Sequence, residues 1–113
     1  LLPVAMGGSS LEKWSSAHKG EGGRSLFGAM LERVRQCRRR VAGLLWYQGE
    51  SDVDAGSAPT YGARMEDWIG ALRVELRAPE LPVVLVQIGR HLAVDVSTAR
   101  CWDQVRAAQQ RLG

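Results

Sequence analysis

The chain has 113 residues, 45% of them hydrophobic and 24% charged, with a formal net charge of +3 and a pI near 9.3. This composition fits one small globular domain and excludes low complexity or a second domain. No apolar run approaches the ~20 residues of a membrane span, so no membrane partner is expected.

The first run, "LLPVAM" (1–6), is short, apolar and nearly continuous, and reads as a strand covered on both faces. Gly7 and Gly8 follow it, and Ser9 and Ser10 read as caps of the turn behind. The stretch "SSAHKGEGGRS" (15–25) reads as a mobile loop. From 26 to 40, Phe27, Met30, Leu31, Val34 and Cys37 recur at steps of three and four and make one helix face. Arg38, Arg39 and Arg40 close that helix, where cations complement the partial negative charge of its C-terminus. With no interleaved aromatic residues and with Glu32 on the same segment, this run is not read as a nucleic-acid patch.

A second buried strand is expected in "VAGLLWYQ" (41–48), which breaks off abruptly into the polar string Gln48, Gly49, Glu50, Ser51 and Asp52. Asp52 and Asp54 then read as part of a solvated loop. The series Tyr61, Met65, Trp68, Ile69, Leu72 and Leu76 predicts a helix over about 58–77. "LPVVLVQIG" (81–89) is the third strand, followed by Arg90 and His91. Trp102, Val105, Gln109 and Leu112 mark a last helix over about 99–112, with Thr98 as N-cap and Gly113 as stop. Cys37 and Cys101 each fall on an apolar helix stripe, far apart in sequence, which suits buried free thiols and neither a disulfide framework nor a metal site. Trp14, Trp46 and Trp68 read as packing anchors.

Strand, loop and helix in threefold succession imply an α/β fold with right-handed crossovers and a parallel sheet between helices. In such a sheet a ligand sits outside the carboxyl ends of the strands. Gly7 and Gly8, Gln48 to Asp52, and Gly89 to His91 all fall there. Gln48 brings a neutral N–H donor and the two glycines bring backbone N–H groups on a chain that can take positive φ, a combination able to hold an oxyanion. Glu50 lies two residues beyond Gln48, on the same face while the chain stays extended, in a supporting role. No metal or cofactor is called for.

"GGSSLEKW" (7–14) and "LLWYQGESD" (44–52) together resemble the second and third sequence blocks of the SGNH-hydrolase superfamily. The branch they look like is that of sialate O-acetylesterases and of the acetylxylan esterases of carbohydrate esterase family six, and the likeness extends over the whole chain. The resemblance implies a three-layer α/β/α, flavodoxin-like fold, of which three β-α units are present in one partial domain over 1–113. It implies ester hydrolysis by a serine nucleophile, a histidine base and an orienting aspartate, acting on an acetylated carbohydrate. Carried onto this chain, it places Gly7 or Gly8 and Gln48 in the oxyanion hole and gives Glu50 the matching acidic position.

The family's Gly-x-Ser and Asp-x-x-His blocks have no match in the 113 residues. Together with a start on Leu1 and a stop directly after a helical pattern, this reads as the central fragment of a longer chain, without nucleophile or base. An internal triad of Ser51, His91 and Asp52 or Asp95 is the weaker reading, because "GESDV" lacks the second glycine of a nucleophile elbow. The expected function is therefore a carbohydrate O-acetylesterase working through an acyl-enzyme. The alternative is a non-catalytic carbohydrate-binding α/β module or a truncated inactive fragment.

Overall fold

The computed structural model describes residues 1–90 and 95–113. Three helices dominate it: α1 (Leu26–Cys37), α2 (Tyr61–Glu75) and α3 (Val96–Leu112). Two three-residue strands, β1 (Leu44–Trp46) and β2 (Val83–Leu85), pair in parallel with Leu44 opposite Val83 and Trp46 opposite Leu85. The Leu44 amide donates to Pro82 O (2.9 Å) and the Val86 amide to Trp46 O (2.8 Å), extending the ladder at both ends. α2 lies between the two parallel strands in the chain and makes their crossover.

Each helix forms where its apolar period and its caps agree. Ser25 caps α1 by accepting from the Gly28 amide (3.0 Å), and the helix buries Phe27, Met30 and Leu31. It stops at Arg38, held at φ 49°, so the arginine run lies just past the helix end, as the sequence predicts. α2 buries Tyr61, Met65, Trp68 and Leu72, at steps of four, three and four. α3 starts three residues earlier than expected, because Asp95 rather than Thr98 is its N-cap, accepting from the Thr98 amide at 3.0 Å. Gly113 is its C-cap, as expected.

The aromatic core sits between the helices and β1. Trp14 meets Trp46 edge-on at 5.4 Å, Phe27 meets Trp68 edge-on at 6.0 Å, and Trp46 lies 4.5 Å from Trp68. Trp68 also donates its indole N–H to Trp14 O (2.8 Å), which ties α2 to the turn of 3-10 helix at Leu11–Trp14. The three tryptophans are packing anchors.

Four expectations are corrected. Residues 1–6 form no strand and pair with neither strand of the sheet, and Pro3 has no N–H for a ladder. Nor is the sheet covered on both faces among the described residues, since Leu45, Tyr47, Val84 and Val86 on one face are all exposed. The segment expected as a loop at 15–25 is instead turns of 3-10 helix over Ser16–Arg24, packed on α1. Cys37 is an exposed thiol and Cys101 a half-buried one, so neither belongs to the closed core.

Candidate active site

The loops after residue 6 and after β1 meet at one end of the sheet. Gly7 and Gly8 form the first turn, and Gly8 sits at φ +67°, where a side chain would strain the backbone. Behind them Ser9 is buried, donating its hydroxyl to Met6 O (2.7 Å) and accepting the Trp14 indole N–H (2.8 Å). The expected capping role of Ser9 is thus a bridge from the turn to the aromatic core.

Gln48 ends the apolar run of β1 and reaches across to that turn. Its amide nitrogen donates to Ser9 O at 3.0 Å and to Asp52 Oδ2 at 2.5 Å, while the Tyr61 hydroxyl lies 3.3 Å from its amide oxygen and 3.0 Å from its carbonyl oxygen. The chain then turns sharply at Gly49, with φ 155° and ψ −22°, into a turn of 3-10 helix at Glu50–Asp52. This turn corrects the assumption of an extended chain through Glu50. The glutamate is exposed, and it lines the same cleft of about 890 Å³ as Gly7, Gly8, Ser9, Gln48 and Ser51. The candidate oxyanion donors and the supporting acid are therefore brought to one cleft.

Asp52 is where sequence reasoning went furthest astray. It is 0% exposed rather than part of a solvated loop. Its carboxylate accepts from the Leu11 amide (2.8 Å), from Gln48, and from Arg64 Nη2 (2.9 Å). Arg64 also donates to Ser57 O at 3.0 Å. A buried carboxylate is tolerated only when paired and hydrogen-bonded, and here both conditions hold. Asp54 does belong to the exposed loop, its Oδ1 accepting from the Gly56 and Ser57 amides at 2.8 and 2.9 Å. The Ser57 side chain first, then these two amides, hold its carboxyl below the ordinary range.

A second polar centre closes the base of the site. Gln109, from the buried face of α3, donates to Gln48 O (2.8 Å) and toward the Tyr61 hydroxyl (3.3 Å), and accepts from the Ile88 amide (2.9 Å). One side chain thus ties the ends of both strands to α3. Burial pushes the Tyr61 phenol above its ordinary range, against the hydrogen bond from Gln109, so the hydroxyl stays a neutral donor.

A family model described as carbohydrate esterase, sialic acid-specific acetylesterase matches residues 1–113. The chain belongs to this family. It is similar to a probable carbohydrate esterase of Arabidopsis thaliana, with 37% identity over 113 residues, covering 96% of this chain and 38% of that protein. It is also similar to a protein from Arabidopsis thaliana solved by X-ray diffraction at 1.6 Å, with a TM-score of 0.78 and 35% identity over 98% of this chain and 43% of that one. The chain thus spans about two fifths of the length of these relatives.

Within this carbohydrate esterase segment the remaining candidates are peripheral. Asp95 is committed to capping α3, and the Ser97 hydroxyl, then the Thr98 amide and hydroxyl, hold its carboxyl far below the ordinary range. Asp52 is enclosed by Leu11, Gln48 and Arg64, which removes it as the acid of an internal triad. His91, the base of that triad, lies outside the described residues, and Ser51 is exposed in its 3-10 turn. Arg90 is an exposed cation at the end of the third apolar run. Among the described residues no group of three or more His, Cys, Asp or Glu side chains could hold a metal ion. The residues of this polar cluster that the sequence did not reveal are Asp52, Tyr61, Arg64 and Gln109. Only Gln109 left a trace, as a polar residue on an otherwise apolar helix stripe.

Proposed function

We propose that this chain supplies the oxyanion-binding part of a carbohydrate O-acetylesterase. The observation that carries the reading is the contact of the Gln48 amide with the Gly7–Ser9 turn at the lip of the cleft, Gln48 Nε2 to Ser9 O being 3.0 Å. In this reading a side-chain amide and the N–H groups of a glycine turn together serve the negative charge that develops on an ester carbonyl. Family membership and the similarity to a probable carbohydrate esterase support an ester of a carbohydrate as substrate.

In this reading a serine hydroxyl attacks the acetyl carbonyl of the sugar ester. The tetrahedral oxyanion is held by Gly7 or Gly8 and by Gln48, and its collapse releases the sugar hydroxyl and leaves an acetyl-serine. Water attacks that ester through a second oxyanion in the same place, releasing acetate and restoring the serine. No residue of this chain is assigned as nucleophile, base or orienting aspartate. Glu50, exposed at the cleft, has a supporting role.

The test is Gln48→Ala in the full-length protein with an acetylated xylan or sialoside as substrate, read as acetate release. Loss of one oxyanion donor lowers kcat by about 100 to 1000-fold. The same change removes one donor from buried Asp52, which costs about 1–3 kcal/mol of stability, so both proteins are assayed well below their melting points. Equal kcat in wild type and variant would refute the assignment of Gln48.

A further inference from the structure

Asp52 is a fully buried carboxylate bound by donors from three separate segments. Its Oδ2 takes the Leu11 amide (2.8 Å) and the Gln48 side-chain amide (2.5 Å), and its Oδ1 takes Arg64 (2.9 Å) from α2. Leu11 opens the 3-10 turn directly behind Gly7–Ser10. One carboxylate therefore holds the glycine turn and the glutamine at a fixed distance from each other. The Arg64 guanidinium balances the charge of this buried carboxylate.

The two hydrogens of the Gln48 amide have acceptors of different strength. One goes to an ionised carboxylate and the other to the neutral carbonyl of Ser9. Hydrogen bonds to an ionised acceptor are roughly twice as strong as neutral ones. A negatively charged oxygen arriving at the cleft can displace the Ser9 carbonyl from Gln48, whereas a neutral ester carbonyl gains nothing by doing so. The exchange therefore favours the transition state over the bound substrate, which is the condition for raising kcat.

We propose that Asp52 is a positioning residue for the oxyanion. It anchors one hydrogen of the Gln48 amide, so that the hydrogen now on Ser9 O is the one handed to the developing charge. This rests on the oxyanion reading given above.

The experiment is a double-mutant cycle in the full-length protein with 4-nitrophenyl acetate as the probe, using Asp52→Asn, Gln48→Ala and the two combined. Asparagine keeps the shape of Asp52 but turns one oxygen into a donor, which must then face either Arg64 or the N–H pair of Leu11 and Gln48. The expected kcat of Asp52→Asn is about 10 to 100-fold down, with KM within about threefold of wild type. The double variant is expected to be no slower than Gln48→Ala by more than about threefold, because the anchor acts through the glutamine. A double variant slowed by the product of the two single losses overturns the proposal, as does a loss confined to KM. An unchanged kcat in Gln48→Ala overturns the oxyanion reading itself and this proposal with it, a result distinct from additivity. Should the asparagine variant fail to fold, hydrogen exchange on the unmutated protein decides. The Gln48 side-chain amide is expected to exchange about 100-fold more slowly than that of exposed Gln110, and equal rates overturn the anchor.

Discussion

Replacing Gly49 by alanine tests how tightly the polar string is fixed to the fold. Two independent penalties arise. The backbone at φ 155° and ψ −22° lies in a region that L side chains rarely adopt, at a cost of about 1–3 kcal/mol. A Cβ there would stand 2.9 Å from Gln109 Nε2, 3.0 Å from Val105 Cγ1 and 3.1 Å from Ile88 Cγ2. Val105 and Ile88 are fully buried and cannot retreat freely, so overpacking adds about 1–3 kcal/mol. The combined loss of about 2–6 kcal/mol corresponds to a fall in Tm of about 4–24 °C in a domain of 150–250 residues. Gly70 is the internal control: it lies inside α2, and an added Cβ meets nothing within 4 Å. Alanine there is expected to raise stability by about 0.5–1 kcal/mol. Both variants are measured by thermal unfolding followed by circular dichroism. A Gly49→Ala protein melting within 3 °C of wild type, by this rough margin, would show that the turn has another low-energy path, and the reasoning from strain and contact would be wrong.

Other tests reach the rest of the site. Gln109→Leu leaves the buried Ile88 N–H without a partner while Gln48 O keeps the Tyr61 hydroxyl, so the expected loss is about 1–3 kcal/mol in a urea titration, against less than about 0.5 for Gln110→Leu on the exposed face. Asp95→Ala removes the N-cap of α3 and is expected to lower Tm at neutral pH. Because the folded-state carboxyl is held below its unfolded value of 3.8, its contribution is present above that pH and is lost as pH falls through the folded value. The Tm difference between wild type and Asp95→Ala therefore shrinks on acidification, and a difference that grew below pH 4 would refute the cap.

What could be read along the chain was whatever depends on local order. The three helices announced themselves through apolar residues at steps of three and four, because a helix that buries one face must repeat at its own turn. The string from Trp46 to Asp52 stood out because polar residues break an apolar strand abruptly, and its match to "GGSSLEKW" pointed to the esterase family that the family model supports. The short pairing of β1 with β2 was also foreseeable, since two apolar runs separated by one helix form a parallel crossover.

Partner choice between distant segments was not legible. "LLPVAM" has the composition of a strand, but a strand exists only where a neighbour accepts its hydrogen bonds, and residues 1–6 do not find one in the sheet. The N-cap of α3 moved from Thr98 to Asp95 because caps are decided by which side chain reaches the free amides, a choice among residues of similar preference. By its own sequence, then, the chain determined its helices, its aromatic anchors and the polar string that marks the candidate site. Only the tertiary structure decided that Asp52 is buried rather than solvated, because its environment comes from Leu11, 41 residues earlier, and from Arg64, 12 residues later. Burial is a property of what surrounds a side chain in space, and no window along the sequence contains it.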